Sequence, residues 1–227
     1  MVGGELLMNV KLIGFTPNPE KMPALAAKLT HSKIKPEDLD KTSDKELKAI
    51  LKHVLNLGHN SIIEHASFTF AISDVSRSLT HQLVRHRIAS YSQQSQRYVN
   101  INIPNYLIPP KIAKNKEIKK AYELTMKNIW KQYNKLIELG IPAEDSRYIL
   151  PNATCTNIIV TMNARSLLNF FELRCCLHAQ WEIRKLANLM LNEVKKKAPI
   201  IFRKAGPACK NKGFCPENKS ECPLYPK

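Results

Sequence analysis

The chain has 227 residues, of which 44% are hydrophobic and 24% charged, a composition typical of one soluble globular domain. No apolar run approaches the ~18 residues of a membrane span, and the first residues lack the basic segment of a secretory signal, so a cytoplasmic protein without a membrane partner is predicted. The 35 Lys and Arg residues against 19 Asp and Glu give a net charge of +16, which favours an anionic partner such as nucleic acid, a nucleotide or another phosphate.

The N-terminal part of the chain contains signals for one strand and two helices. Residues 9–15 alternate apolar and polar side chains, as a half-buried strand does. Asn18 is placed to cap a helix over residues 19–32. The capping box at residues 43–46 predicts the start of a second helix, and Gly58 is placed to end it.

A second strand and a third helix follow. Residues 67–73 alternate so that Phe68, Phe70 and Ile72 share one face. Asp74 is expected to cap the next helix, whose apolar positions follow helical spacing. That helix is predicted to continue to a cluster of basic residues at 85–87.

The C-terminal half is predicted to be mainly helical. Its helices are expected at residues 112–139, 143–150, 164–175 and 179–197, and Asn163 is placed to cap the third. Residues 155–162 are a short β-branched run typical of a buried strand. Strands followed by groups of helices, without βαβ alternation, predict a single α+β domain with an antiparallel or mixed central sheet and several long helices.

Residues 85–98 form the most unusual stretch, with the sequence RHRIASYSQQSQRY. Cations near a helix C-terminus complement its dipole, but adjacent cations repel one another and gain little more. A phosphate would relieve that repulsion, because guanidinium groups bind phosphate oxygens in pairs while hydroxyls and amides hold the rest of a polar ligand. The chain has seven glycines and no glycine-rich phosphate loop, so side chains are predicted to hold the ligand.

Residues 85–97 also fit the spacing R-H-R-x-x-S-x-x-x-x-S-x-R without a gap, which resembles the signature of the flavin-dependent thymidylate synthases. Four further stretches resemble that family in the same order: GHNSIIEHASFTF (58–70), SRYILP (146–151), NARSLLNFFELR (163–174) and HAQWEIRKLA (178–187). The resemblance extends from about Asn9 to Phe202.

The resemblance implies a methyltransferase that makes dTMP from dUMP. The carbon would come from the folate 5,10-methylenetetrahydrofolate, and the hydride from NADPH through FAD. Members of the family are homotetramers whose active sites are shared between subunits, so dUMP, folate and further copies of the chain are the expected partners. No nucleic-acid partner is expected under this interpretation.

By similarity, one set of residues is expected at the FAD: His59, Ser61, Arg85, His86, Arg87, Gln93, Asn163, Arg165 and Asn169. Arg165 and Asn169 are four residues apart and therefore share one helix face, with Asn163 at the cap before them. Glu64 and His65 match the same family stretch and are assigned to support of the site.

A second set is expected at dUMP: Gln82, Arg85, Gln93, Gln94, Ser95, Gln96, Arg97, Arg147 and Arg174. Arg97 and Arg147 are the expected phosphate partners. Arg174 is the expected catalytic residue, because the family arginine at this position faces the pyrimidine and favours ionisation at N3. Many relatives carry glutamate where this chain has Gln93, and an amide has no acid or base function.

Structural roles are predicted for the two cysteines after Arg174 and for several aromatic residues. Cys175 and Cys176 follow Arg174, but helical neighbours point ~100° apart, so both are predicted to be core residues rather than the nucleophile of conventional thymidylate synthases. His178 suits a role in the site or a structural one equally. Packing roles are predicted for His81, Phe170, Phe171 and Trp181.

Residues 206–227 are predicted to be a Cys-, Pro- and Lys-rich tail after a catalytic domain at residues 1–205. Cys209, Cys215 and Cys222 provide three soft ligands without a fourth. Reduced or disulfide-bonded cysteines are therefore favoured and no metal is predicted, although Cys155 could complete a metal site if the fold brought it there.

Two alternatives compete with the enzyme assignment. The net charge and the arginine cluster suit a nucleic-acid-binding protein, although no recognisable binding module accompanies them. A flavin-binding relative that has lost methyl transfer is the other alternative, which the presence of Arg85, Arg97, Arg147 and Arg174 together disfavours.

Overall fold

A computed structural model describes residues 8–226 of the chain. It contains an antiparallel sheet with the spatial order β1-β2-β4-β3. The strands are Asn9–Phe15 (β1), Ser67–Ser76 (β2), Ser90–Gln93 (β3) and Cys155–Asn163 (β4). The predicted α+β class with an antiparallel sheet is confirmed.

Helices make up most of the remaining secondary structure. They are Lys21–Thr30 (α1), Asp44–Asn56 (α2), Arg77–Leu83 (α3), Pro110–Ala113 (α4), Lys116–Glu138 (α5), Ala143–Ser146 (α6), Ala164–Arg174 (α7), Trp181–Lys197 (α8) and Ala208–Lys212 (α9). Short 3₁₀ turns cover Pro36–Lys41, Ser61–His65 and Arg147–Ile149. Within the described part of the chain, no helix is both long and apolar enough to cross a membrane.

The described residues divide into two compact units. The first unit consists of residues 8–9, 72–85 and 91–159, and the second of residues 10–71, 86–90 and 160–226. Trp130 and Tyr133 on α5 are buried in the first unit. The Trp130 ring nitrogen donates to the Ile101 carbonyl at 2.9 Å, and the Tyr133 hydroxyl accepts from the Ile101 amide at 3.3 Å.

The second unit has an aromatic core. Phe202 packs edge-on against Phe68 and Phe171 with ring centroids 5.5 and 6.0 Å apart, and Phe170 lies 5.7 Å from Phe171. All four rings are fully buried. Edge-to-face pairs of this kind add roughly 0.5–1.5 kcal/mol each beyond area burial, so they fix α7 firmly within this unit.

Local signals predicted several helix ends correctly. The Ser43 hydroxyl accepts from the Glu46 amide at the start of α2, and Asn163 Oδ1 accepts from the Ser166 amide at the start of α7. Gly58 has a φ of 81° just after the C-cap of α2, the left-handed conformation in which glycine ends helices.

Asp74 is not the cap of α3. Strand β2 continues through it to Ser76, whose hydroxyl accepts from the Leu79 amide at 3.0 Å and caps the helix instead. Asp74 has a φ of 57° within the strand, and its amide donates to Asn157 Oδ1 at 3.3 Å. A partner on β4 therefore overrides the capping preference of this aspartate.

Two other predicted helix boundaries were wrong. Asn18 does not cap α1, which begins at Lys21 after Glu20. The Glu20 carboxylate accepts from the amides of Ile200 and Ile201, a distant contact that places Glu20 at the helix start. The predicted helix over residues 112–139 is divided, because Asn115 accepts from two amides of α5 and starts a new helix.

Candidate active site

The basic cluster lies in the loop between α3 and β3. Helix α3 ends at Leu83, two residues before Arg85, so the predicted continuation of the helix into the cluster was wrong. Arg85 and Arg87 are exposed, whereas His86 between them is half-buried. Within residues 8–226 neither of these two guanidinium groups forms an ion pair, so both are available to an anion.

His86 and Arg174 are in direct contact within the second unit. The Arg174 Nε donates to His86 Nε2 at 3.0 Å. The imidazole also packs edge-on against Phe170, with ring centroids 4.9 Å apart and an interplanar angle of 84°. Burial and then the charge of Arg174 lower the pKa of His86 to about 4, so the imidazole is neutral near pH 7.

Helix α7 carries Arg165 and Asn169 on one face, as their spacing predicted, and this face is exposed. The two residues lie one turn apart. Arg165 pairs with Glu64 of the 3₁₀ turn before β2, so Glu64 fixes this guanidinium. Asn163 caps the helix by accepting with its Oδ1, so its side-chain NH₂ group can still donate to a ligand.

His59 and Ser61 follow the turn at Gly58. Both are exposed. The His59 ring stacks on His31 with centroids 6.4 Å apart and an interplanar angle of 12°. His31 follows α1 directly and had no sequence signal, because nothing local relates it to His59.

The two expected phosphate partners meet at one residue of the first unit. Arg97 donates from Nε to the Glu144 carboxylate at 3.0 Å, and Arg147 donates from Nε to the Glu144 carbonyl at 3.0 Å. Arg77 is a third cation of this group, because burial and then the charge of Arg147 lower the pKa of Arg77. The sequence analysis did not single out Arg77, because no motif contains it.

The amide side chains of the 93–96 segment have different environments. Gln93 Nε2 donates to the hydroxyls of Thr80 and Thr156 at 3.2 and 3.4 Å. Gln94 accepts from the Asn157 amide at 3.0 Å. Gln96 Nε2 is buried and has no hydrogen-bond partner within the described residues, so it is a donor that a ligand could satisfy.

The cysteines beside Arg174 differ from one another. Cys175 is buried, as predicted, and burial raises the pKa of its thiol to about 11. Cys176 is half-buried rather than a core residue. It lines a cavity of about 260 Å³ with His178 and the tail cysteines Cys209, Cys215 and Cys222.

This cavity brings a fourth cysteine to the tail, and it is Cys176 rather than Cys155. No group of three His, Cys, Asp or Glu side chains is arranged to hold a metal ion within residues 8–226. The tail is also held by an ion pair between Lys212 on α9 and Glu172 on α7. The sequence left a role in the site and a structural role open for His178. In the structure, His178 lines the tail cavity.

The expected site residues thus form two groups. The second unit holds His59, Ser61, His86, Arg87, Asn163, Arg165, Asn169 and Arg174, and the first holds Gln82, Arg85, Gln93, Gln94, Ser95, Gln96, Arg97 and Arg147. Of the residues expected to pack, Phe170 and Phe171 are fully buried, whereas His81 is exposed and Trp181 is half-buried.

Comparisons with known proteins identify the family. The family model described as "Thymidylate synthase complementing protein" matches residues 11–200. A flavin-dependent thymidylate synthase from Clostridium tetani is 50% identical, with 98% of this chain and 96% of that protein covered. One from Geobacter sulfurreducens is 49% identical, with coverage of 95% and 94%. The chain belongs to this family, and the resemblance found in the sequence is confirmed.

A solved structure shares the fold. It is the crystal structure of a UMP/dUMP methylase, PolB, from Streptomyces cacaoi bound with 5-Br dUMP. The match has a TM-score of 0.75 and covers 86% of this chain and 93% of that one at 21% sequence identity. At this identity the match supports the fold and carries no assignment of individual residues.

Proposed function

We propose that the protein is a flavin-dependent thymidylate synthase that converts dUMP to dTMP. The observation that carries this proposal is its family membership, since relatives with that name match almost the whole chain at about half identity. In the overall reaction dUMP, 5,10-methylenetetrahydrofolate, NADPH and a proton give dTMP, tetrahydrofolate and NADP⁺.

The dUMP phosphate is proposed to bind Arg97 and Arg147. A nucleoside monophosphate carries close to two negative charges, and these guanidinium groups already converge on Glu144. The carboxylate of Glu144 keeps Arg97 in place by an ion pair that a phosphate can replace. The unpartnered amide of Gln96 offers a further buried donor to the nucleotide.

Arg174 is proposed to activate the pyrimidine. Its guanidinium stabilises the negative charge that develops on the ring when N3 ionises, which makes C5 more nucleophilic. No thiolate is needed for this step. Cys175 is buried, and its raised pKa of about 11 keeps the neighbouring thiol protonated near pH 7.

The residues of the second unit fit a flavin dinucleotide. Its two phosphates require cations and hydrogen-bond donors, and the exposed Arg87, Arg165 and Asn169 supply them. Arg85 and Gln93 of the first unit are proposed as further contacts. A bound FAD would supply the reaction with the hydride that comes from NADPH.

The proposed assembly is a homotetramer with shared active sites. Ile88, Tyr98 and Tyr148 support it, because these large side chains are 75%, 81% and 83% exposed in a single chain beside the expected ligand contacts. A second copy would cover them. We further propose that residues 1–205 form the catalytic domain, that residues 206–227 form a tail, and that the protein acts in the cytoplasm.

The test is an absorption titration followed by an assay. Purified protein is loaded with FAD, unbound flavin is removed, and the visible spectrum is recorded as dUMP is added. A retained flavin whose spectrum shifts with dUMP, and dTMP that forms only with both methylenetetrahydrofolate and NADPH, are expected. Loss of FAD from the protein, together with a spectrum that dUMP does not change, would contradict the proposal. Salt-sensitive nucleic-acid binding would then be tested.

A further inference from the structure

The histidine of the basic cluster has a different environment from its two arginine neighbours. Arg85 and Arg87 are exposed, whereas His86 is half-buried against α7. Its ring contacts both Phe170 and Arg174, which lie four residues apart on one face of that helix. A ligand contact shared equally by the three cluster residues does not account for this difference.

The hydrogen bond between His86 and Arg174 has only one possible direction. A guanidinium has five N–H donors and no acceptor. His86 Nε2 must therefore accept the proton of Arg174 Nε, which places the imidazole proton on Nδ1. Four N–H donors remain on the terminal nitrogens of Arg174. The bond to Nε thus orients the guanidinium while leaving its terminal groups for another partner.

The imidazole is itself held in place and held neutral. Phe170 is fully buried and supports the ring edge-on at 4.9 Å. A protonated imidazole could not accept from Arg174, and burial together with the Arg174 charge lowers the pKa of His86 to about 4. The acceptor is therefore present across the physiological pH range.

We propose that His86 is a positioning residue for Arg174, which it aims at the pyrimidine by accepting the Nε–H group. The proposal rests on the function proposed above, in which Arg174 meets charge developing on the uracil. A donor that is already oriented costs no reorganisation when the charge appears, whereas a displaced one can reduce the rate about a hundredfold. His86 thus acts through Arg174, and one of its two ring nitrogens is unavailable to the flavin.

The test compares two substitutions of His86 that differ in one property. Gln places an amide oxygen near the position of Nε2 and keeps the acceptor, whereas Phe keeps an aromatic ring and removes it. We expect His86→Phe to lower kcat by roughly 10–100-fold, with bound FAD and the KM for dUMP changed little. We expect His86→Gln to restore kcat to within a few fold of the wild-type value.

The same substitutions are then made together with Arg174→Ala. A residue that acts through Arg174 has no further effect once Arg174 is absent, so His86→Phe should not lower the residual kcat of that variant. If His86→Phe lowers kcat in the Arg174→Ala variant by the same factor as in the wild-type protein, the proposal is overturned. Loss of FAD in both His86 variants, with FAD kept in Arg174→Ala, would also overturn it and would make His86 a cofactor ligand.

A measurement without turnover keeps the test independent of the proposed reaction, and circular dichroism checks that each variant is folded. The pKa of His86 is followed by NMR of the histidine rings in the wild-type protein and in Arg174→Ala, with His86→Gln identifying the resonance. Burial is the larger cause of the low pKa of His86 and the charge of Arg174 the smaller, so a partial rise toward 6.5 when Arg174 is removed supports the contact, and an unchanged pKa contradicts it. Wild-type protein that makes no dTMP would refute the proposed function while leaving this contact measurable.

Discussion

At the residue scale, Arg174 carries the proposed chemistry. Replacing Arg174 by Ala removes the donor that stabilises charge on the pyrimidine, so kcat for dTMP formation should fall by about 10²–10³-fold. Bound FAD, measured by its visible absorbance, should stay near the wild-type level, because the proposed flavin contacts lie on other residues. Arg203→Ala, which removes a surface arginine bonded to Asn56, is the matched control. Equal loss of flavin and activity in Arg174→Ala would show that Arg174 is misassigned.

Substituting the two cysteines beside Arg174 tests whether the reaction proceeds without a thiolate nucleophile. Cys175 is buried with its pKa raised to about 11, and Cys176 lines the tail cavity. Replacing both by Ala should therefore leave kcat within about tenfold of the wild-type value, since removing a nucleophile costs far more. Circular dichroism checks that the double variant is folded. A folded variant with no turnover would restore the thiolate mechanism.

The pH dependence of stability follows from His86. Its pKa is about 4 in the folded state and ~6.5 in the unfolded chain. Between these values the unfolded state binds more protons, so stability falls as the pH is lowered. The melting temperature of the wild-type protein should therefore drop more steeply between about pH 7 and pH 4.5 than that of His86→Gln. Parallel curves would show that the imidazole is not held neutral.

The residue types of the site were predictable, but their partners were not. The arginines at 85, 97, 147 and 174 match a motif, so the sequence assigned them by resemblance. The contact between His86 and Arg174 joins residues 88 positions apart, and the Glu144 contact with Arg97 spans 47. Such contacts depend on the tertiary fold, and no local pattern encodes them.

At the scale of elements, Asn163 has two roles that can be separated. It caps α7 and is also expected at the FAD. Asn163→Ala should lower the free energy of unfolding by about 1 kcal/mol, whereas Asn163→Ser keeps a capping oxygen and most of that stability. If the amide also contacts FAD, both variants should bind FAD more weakly. Urea unfolding and flavin titration measure the two effects, and normal flavin affinity in the Ser variant would limit Asn163 to capping.

Elements whose ends depend on neighbouring residues were predicted best. Ser43, Gly58 and Asn163 act within one helical turn, so sequence sufficed. The start of α1 at Asn18 and the capping role of Asp74 were predicted wrongly. Amides of residues 200–201 bind Glu20, and the side chain of Asn157 binds the amide of Asp74. Tertiary partners of this kind override local propensity.

At the scale of the molecule, most residues expected at FAD lie in the second compact unit and most of those expected at dUMP in the first, with Arg174 as the dUMP residue that lies in the second. The sequence predicted one α+β domain, and it gave no sign of this division because β2 and β4 each contribute residues to both units. The units interrupt one another along the chain, so a composition shift or linker does not mark their boundary. Only the tail after residue 205 has a distinct composition.

The net charge of +16 has a consequence that separates a nucleotide-binding enzyme from a nucleic-acid-binding protein. The field of many cations attracts dUMP and is screened by salt, so kcat/KM for dUMP should fall several fold between about 50 and 200 mM NaCl while kcat changes little. A nucleic-acid site would add counterion release, with affinity for a DNA oligonucleotide falling about 10³–10⁵-fold over that range. We expect an excess of single-stranded DNA to leave dTMP formation unchanged at 200 mM NaCl. At 200 mM NaCl, salt already screens the non-specific attraction of DNA to a positively charged protein. Competitive inhibition by DNA at that salt concentration would therefore show that the arginine cluster binds a polynucleotide.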